Sequence, residues 1–236
     1  MKQLITAFDR IVIAVPNLAE AMREYKNLLG ANFWPVDEAN DAPRAWLGLT
    51  NVVMELKEQA IESPAIVALV LVGDAPADTT VDIKNARQLQ LSYCDGRETA
   101  RFRAQQSAAQ NPGLNVDHVV LRTADAAACI ELFSVGLGLR LALDQHVPEW
   151  GGRMLFFRVG KLTLEVIEAG EDKPASDHFW GITYQCPDIS AMVSQLQQEG
   201  LALSEIRQGR KPGTQVATVK SHTLAIPTLL IQPADG

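Results

Sequence analysis

Three cysteines in 236 residues are too few and too scattered for a disulfide framework. Cys94, Cys129 and Cys186 stand apart, with no Cys-x-x-Cys pair of the kind that holds a structural zinc. That usage points to a reducing compartment, the cytoplasm. Basic charge is also in deficit: 21 Lys and Arg face 28 Asp and Glu, for a net charge of −7. A chain of that sign has no general attraction to nucleic acid or to an anionic membrane surface. The longest apolar run, Ala65 to Val72, is far too short to span a bilayer, and Met1-Lys2-Gln3-Leu4 lacks the apolar stretch of a signal peptide. What is present is 47% hydrophobic and 21% charged residues, the balance of a globular protein able to bury a core.

The informative feature is repetition. Three segments open on an apolar strand: Phe8-Asp9-Arg10-Ile11-Val12-Ile13, Val116-Asp117-His118-Val119-Val120-Leu121 and Phe179-Trp180-Gly181-Ile182-Thr183-Tyr184. Each closes on another: Val52-Val53-Met54-Glu55-Leu56, Leu162-Thr163-Leu164-Glu165-Val166 and Pro227-Thr228-Leu229-Leu230-Ile231. Arg10 to Glu55, His118 to Glu165 and Gly181 to Leu230 are 45, 47 and 49 residues apart. A near-constant period of this size marks a repeated structural unit.

Within each copy the order reads βαβββ. In the first, Ile11–Val15 is a short β-branched strand. Residues 18–29 then place Leu18, Met22, Tyr25 and Leu29 on one helical face, and Gly30 stops the helix. Strands are expected at 32–36, 45–49 and 52–56. The second copy predicts a strand at 118–123, a helix at 126–135 and strands at 140–143, 154–159 and 162–167. The third predicts a strand at 182–185, a helix at 189–199 and strands at 202–206, 215–220 and 228–232. Between copies one and two, residues 63–105 offer strands at 65–72 and 87–93 and a short helix near 81–86, read as a shrunken fourth copy. Residues 101–115 look like a linker. Two halves result, 1–105 and 114–233.

A βαβββ repeat whose first strand reads Asp-His-Val-Val-Leu and whose last reads Thr-Leu-Glu-Val resembles the vicinal oxygen chelate superfamily, which includes glyoxalase I, extradiol dioxygenases and bleomycin resistance proteins. The resemblance implies an α+β fold of paired modules forming curved mixed sheets, the N-terminal half carrying one degenerate module. It also implies a divalent metal (Mn, Fe, Ni, Co or Zn) in the cup of the sheet, held by first and last strands and acting as a Lewis acid. Carried over, His118 and Glu165 fall on ligand positions. The third copy has Gly181 and Leu230 there, and the first copy has Arg10 and Glu55. Two protein ligands are fewer than a divalent ion usually takes, so a metal-free cup is the close alternative.

Read from the residues, His118 and Glu165 share one face of the sheet. Glu165 can serve as general base among apolar neighbours such as Leu155 and Phe157, with His118 as its partner, or the pair can be a buried hydrogen bond and no more. Arg122 has the inward parity of His118. The segment Arg207-Gln208-Gly209-Arg210-Lys211-Pro212-Gly213-Thr214 puts three cations on one turn, so Arg210 and Lys211 can grip a carboxylate or simply solvate a hairpin. His146 lies in a segment, Asp144 to Trp150, that reads as a loop over the cup. One of Phe156 and Phe157 can enter the cup, and we assign Phe157; Trp150, Phe179 and Trp180 read mainly as core. The expectation is a glyoxalase-like isomerase or lyase acting on a small anionic oxygenated metabolite, with a homodimer as one arrangement. A metal-free binding protein is the alternative, and a dioxygenase a weaker one.

Overall fold

A computed structural model of the chain describes residues 5–36, 42–77, 79–106, 113–147, 152–170 and 172–234. The first module runs β1 (Ala7–Val15), α1 (Leu18–Leu29), β2 (Trp34–Val36), β3 (Arg44–Gly48) and β4 (Val53–Glu58). Asn17 caps α1 by accepting a hydrogen bond from the Glu20 amide, and Gly30 ends it at φ 69°, where a side chain would be strained. After β5 (Ala65–Val72), β6 (Val81–Asp82) and β7 (Gln90–Cys94) comes α2 (Arg97–Gln105). The second module runs β8 (Asn115–Thr123), α3 (Ala126–Ile130), a π-helical turn at Glu131–Gly136, β9 (Arg140–Val147), β10 (Gly152–Val159) and β11 (Leu162–Ala169). The third runs β12 (His178–Gln185), α4 (Ile189–Gln198), β13 (Arg207–Gln208), β14 (Gln215–Val219) and β15 (Thr228–Gln232).

These strands form two mixed sheets with one plan. The first is ordered β2-β3-β4-β1-β5-β7-β6 and the second β9-β10-β11-β8-β12-β15-β14-β13. In both, a module's first and last strands lie side by side and parallel, and two first strands meet antiparallel at the centre. Residues 65–94 are therefore the degenerate module: β5, β6 and β7 keep the places of β12, β14 and β15, with the helix and one strand gone. The helix expected near 81–86 is replaced by β6, because the short connection returns at once as a strand beside β7.

Other expectations shift. The strand expected at 202–206 shrinks to the two residues of β13 and a single bridge from Leu203 to Val219. The expected linker at 101–115 is helical through Gln105, and residues 107–112 lie outside those described. His146 belongs to β9 and not to a loop; Trp150 lies outside the described residues.

Alternation sorts the side chains. Ile11, Ile13, Met54 and Leu56 face the buried Tyr25, Leu28 and Leu29 of α1, while Val119, Leu121, Leu164, Val166, Leu155 and Phe157 do the same in the second sheet with Phe133. One apolar core runs through both halves. The Asn51 amide clamps Val116, donating to its carbonyl at 2.7 Å and accepting from its N–H at 3.0 Å. Arg87 pairs with the buried Asp177 at 2.5 Å, and Glu24 accepts from the Leu224 amide at 2.8 Å. Tyr25 and Tyr184 are fully buried, one from each half, and burial raises both phenols.

Candidate functional site

The faces turned away from this core are the two cups, and they differ. On the N-terminal one, Arg44, Trp46 and Gly48 of β3 face α2. Phe102 meets Trp46 edge-on at 5.4 Å, and Thr99 donates to Asp9. A Cβ at Gly48 would sit 2.1 Å from the Gln106 side chain, so the missing side chain is what admits the helix end. Beneath it Arg10 lies 3.2 Å from Asp9 and 3.7 Å from Glu55, with its guanidinium 4.9 Å over the Trp46 ring. The sequence read this segment as linker, but it fills the cup.

The C-terminal cup is open, and the strand register lays its inner face out in rows. One row is Thr183, His118, Thr163 and Arg158; the next is Gly181, Val120, Glu165 and Phe156; the third is His178, Arg122, Ile167 and Met154. Rows are two residues, or roughly 7 Å, apart. Bulges in the β8–β12 pairing, between Thr183 and Tyr184 and between Phe179 and Gly181, bring in residues that strict alternation would misplace. Asp117 comes beside His118, and Trp180 turns into the cup between Phe179 and Ile182, which are both core. Gly181 has no room for a side chain, since a Cβ would meet the Pro227 carbonyl at 2.7 Å.

His118 is the hub. Its Nδ1 lies 2.8 Å from Asp117 Oδ2, and its Nε2 lies 3.0 Å from Glu165 Oε2 and 2.8 Å from Thr183 Oγ1. Burial opposes charge on the ring, yet the hydrogen bonds to Asp117 and Glu165 outweigh it and lift His118 to about 9. Burial also pushes the Asp117 carboxyl up, but the His118 hydrogen bond, with Arg158 and Lys211 nearby, holds it below the usual range. At neutral pH the ring is an imidazolium, with Nδ1–H donating to Asp117 and Nε2–H to Glu165.

A pH dependence of stability follows. The folded protein binds this proton more tightly than the unfolded chain, so the contribution is complete below about pH 6.5 and disappears as pH rises through about 9. Its size is roughly 3 kcal/mol, counted once for the whole cluster. Urea midpoints measured between pH 6 and 10 should fall across that window, and His118→Gln should flatten the fall. An unchanged slope in the variant would assign it elsewhere.

The remaining predicted residues divide. Beside the third row a cavity of about 280 Å³ is lined by Arg122, Gly152, Met154, Ile167, Trp180 and Arg210. Its lining stops one row short of Glu165. Arg122 and Arg210 thus line one cavity. Arg210 reaches from the β13–β14 turn to the Met154 sulfur at 3.7 Å, bridging two distant strands of the curled sheet. Lys211 is exposed on that turn.

Two assignments do not hold. Phe157, fully buried, turns to the core and packs on Phe133 at 5.5 Å, while Phe156 takes the cup side next to Glu165. Leu155 faces the core as well. His146 pairs with Arg153, on the face opposite the cup. Phe157→Ala should therefore cost about 3–5 kcal/mol of stability and Phe156→Ala far less, read from urea unfolding. Equal losses would contradict this parity. Sequence reasoning missed Asp117, Thr183 and Trp180, although all three stand inside the opening motifs.

As donors for a divalent metal these residues fit poorly. His118 Nε2 and Glu165 are two ligands, β12 offers Thr183 beside them with His178 two rows away, and Leu230 of β15 is buried in the core. Among the described residues no group of three or more His, Cys, Asp or Glu side chains converges to hold an ion. Three or four protein ligands are usual.

Residues 117–218 match the family model of the Glyoxalase/Bleomycin resistance protein/Dioxygenase superfamily. Among solved structures, a mutant of 4-hydroxymandelate synthase from Streptomyces coelicolor aligns over 100% of this chain and 95% of its own, at 13% identity and a TM-score of 0.71. Methylmalonyl-CoA epimerase from Mycobacterium tuberculosis aligns over 51% of this chain and 88% of its own, at 19% identity and a TM-score of 0.44. The hypothetical protein BH1468 from Bacillus halodurans C-125 covers 52% of this chain and 96% of its own, at 16% and 0.46. At these identities the full-length likeness speaks for the fold alone. No curated protein matches the sequence. Among the described residues no helix is long and apolar enough to cross a membrane.

Proposed function

We propose, on the premise that the C-terminal half of this chain belongs to the Glyoxalase/Bleomycin resistance protein/Dioxygenase superfamily, that the protein is an acid–base enzyme of isomerase or lyase type. Its substrate is a small anionic oxygenated metabolite bound in the C-terminal cup. The observation that carries this reading is a histidine ring held 3.0 Å from a buried carboxylate on the concave face of the sheet. Glu165, 6% exposed, takes a proton from a carbon next to a carbonyl. The electron pair left behind moves onto the carbonyl oxygen, and as the proton neutralises Glu165 the His118 Nε2–H turns from that carboxyl to the new oxyanion. Return of the proton to the carbon gives isomerisation; expulsion of a group from the neighbouring carbon gives elimination.

Asp117 positions the ring through Nδ1, and Arg122 with Arg210 supplies positive charge for the substrate's acidic end. No metal enters this scheme, and the donor set does not call for one. The dioxygenase alternative needs two histidines and a carboxylate around an iron, which Thr183 does not complete. The N-terminal half, its cup occupied by α2, is a scaffold.

The second reading is a binding protein without turnover, favoured by the apolar, tryptophan-floored cavity standing apart from Glu165. Hydrogen–deuterium exchange separates the two. The protein in D₂O would be incubated with a panel of 2-oxo and 3-oxo carboxylic acids and followed by proton NMR, with and without EDTA. Loss of a C–H signal faster than in buffer, unaffected by EDTA, is the expected result. Binding across the panel with no exchange would leave the binding protein.

A further inference from the structure

We propose that the cavity at the third row is a subsite for a flat, apolar-bodied carboxylic acid, with Trp180 as its platform. The inference rests on the acid–base reading of the same cup and adds the class of substrate.

The first ground is Trp180 itself. It is 41% exposed while its strand neighbours Phe179 and Ile182 are buried in the core. Nothing in ordinary alternation puts it there; the bulge before Gly181 turns it into the concave face. A large aromatic ring left open inside a cup is an unspent apolar surface, and a flat partner is what covers such a ring best. Met154 and Ile167 complete an apolar wall opposite.

The second ground is charge. Two guanidinium groups line the same cavity, with no carboxylate among its lining residues. Arg122 donates one Nη2–H to the Asp172 carbonyl at 3.1 Å, which tethers its guanidinium beside the cavity. A guanidinium so placed suits a carboxylate. Size sets the third limit. About 280 Å³ matches a single ring with a short acidic side chain. A carboxylate anchored at Arg122 then extends the remaining carbons along the sheet toward Glu165, one row away.

Calorimetric titration of the intact protein tests this with benzoate, cinnamate, propionate and the neutral benzamide. Cinnamate is expected to bind at least ten-fold more tightly than propionate, and benzoate at least ten-fold more tightly than benzamide. Trp180→Ala should cost cinnamate ten-fold or more and leave propionate unchanged, with Trp180→Phe restoring most of the loss. Arg122→Gln should erase the preference of benzoate over benzamide. Equal affinity of the wild type for cinnamate and propionate, or an unaltered Trp180→Ala, would overturn the subsite. The catalytic reading fails differently: tryptophan-dependent binding with no exchange in D₂O keeps the subsite and removes the chemistry. Exchange of small acids that ignores Trp180 keeps the chemistry and removes the subsite.

Discussion

Glu165→Gln is expected to slow proton exchange at the bound acid by 10²- to 10⁴-fold while shifting ligand affinity only a few-fold. The two side chains have the same shape, so packing beside Val120 and Phe156 survives. The amide oxygen can still accept from His118 Nε2–H, which now lies 3.0 Å from Glu165 Oε2. What disappears is the basic oxygen, and with it the only step that Glu165 performs. A nucleophile or a binding contact would respond otherwise, by losing affinity together with rate. His118→Gln should reduce the rate through the stabilising hydrogen bond instead, and by less, because Glu165 stays available as base. A Glu165→Gln protein that exchanges protons at the wild-type rate would end the proposal for this residue.

A large loss of stability should come from the other cup. Glu55, 4% exposed on β4, accepts from Trp46 Nε1 at 2.9 Å and lies 3.7 Å from Arg10 and 3.8 Å from Arg44. Removing one partner of a buried charge cluster costs about 3–5 kcal/mol, since the charges left behind stay out of water. Glu55→Ala should therefore lower the urea midpoint steeply. Arg10→Met combined with Glu55→Leu, which takes out opposite charges together, should recover only part of the loss, because the buried Asp9 then loses the Arg10 guanidinium. If Glu55→Ala costs under about 1 kcal/mol, water reaches the cluster and α2 does not seal it.

The two cups also show which features a sequence displays. Period and alternation were enough for the βαβββ order, for the degenerate module, and for His118, Glu165 and Arg122 on one face; the curved mixed sheets came from the family resemblance. Each of those rests on runs in which every second residue is apolar. Bulges broke that reading. In the β8–β12 register Thr183, not Gly181, stands opposite His118, and the extra residue before Gly181 exposes a tryptophan that composition assigns to a core. The choice between Phe156 and Phe157 was invisible because both neighbours are apolar; only packing on Phe133 decides it. His146 read as a loop residue because β9 is an edge strand, its outer residues polar and exposed. The helix α2 escaped for a related reason: it meets the cup through Thr99, Phe102, Arg103 and Gln106, so its contact face looks hydrophilic.

The shared core has a consequence for how this architecture can be rearranged. The segment that carries the family signature begins at residue 117, yet Val116 is clamped by Asn51, and Tyr184 is enclosed together with Tyr25. A gene encoding only the later half would present these groups bare, along with the apolar face of β12 that lies against β5. Such a fragment would expose an apolar seam to water unless a second polypeptide covered it.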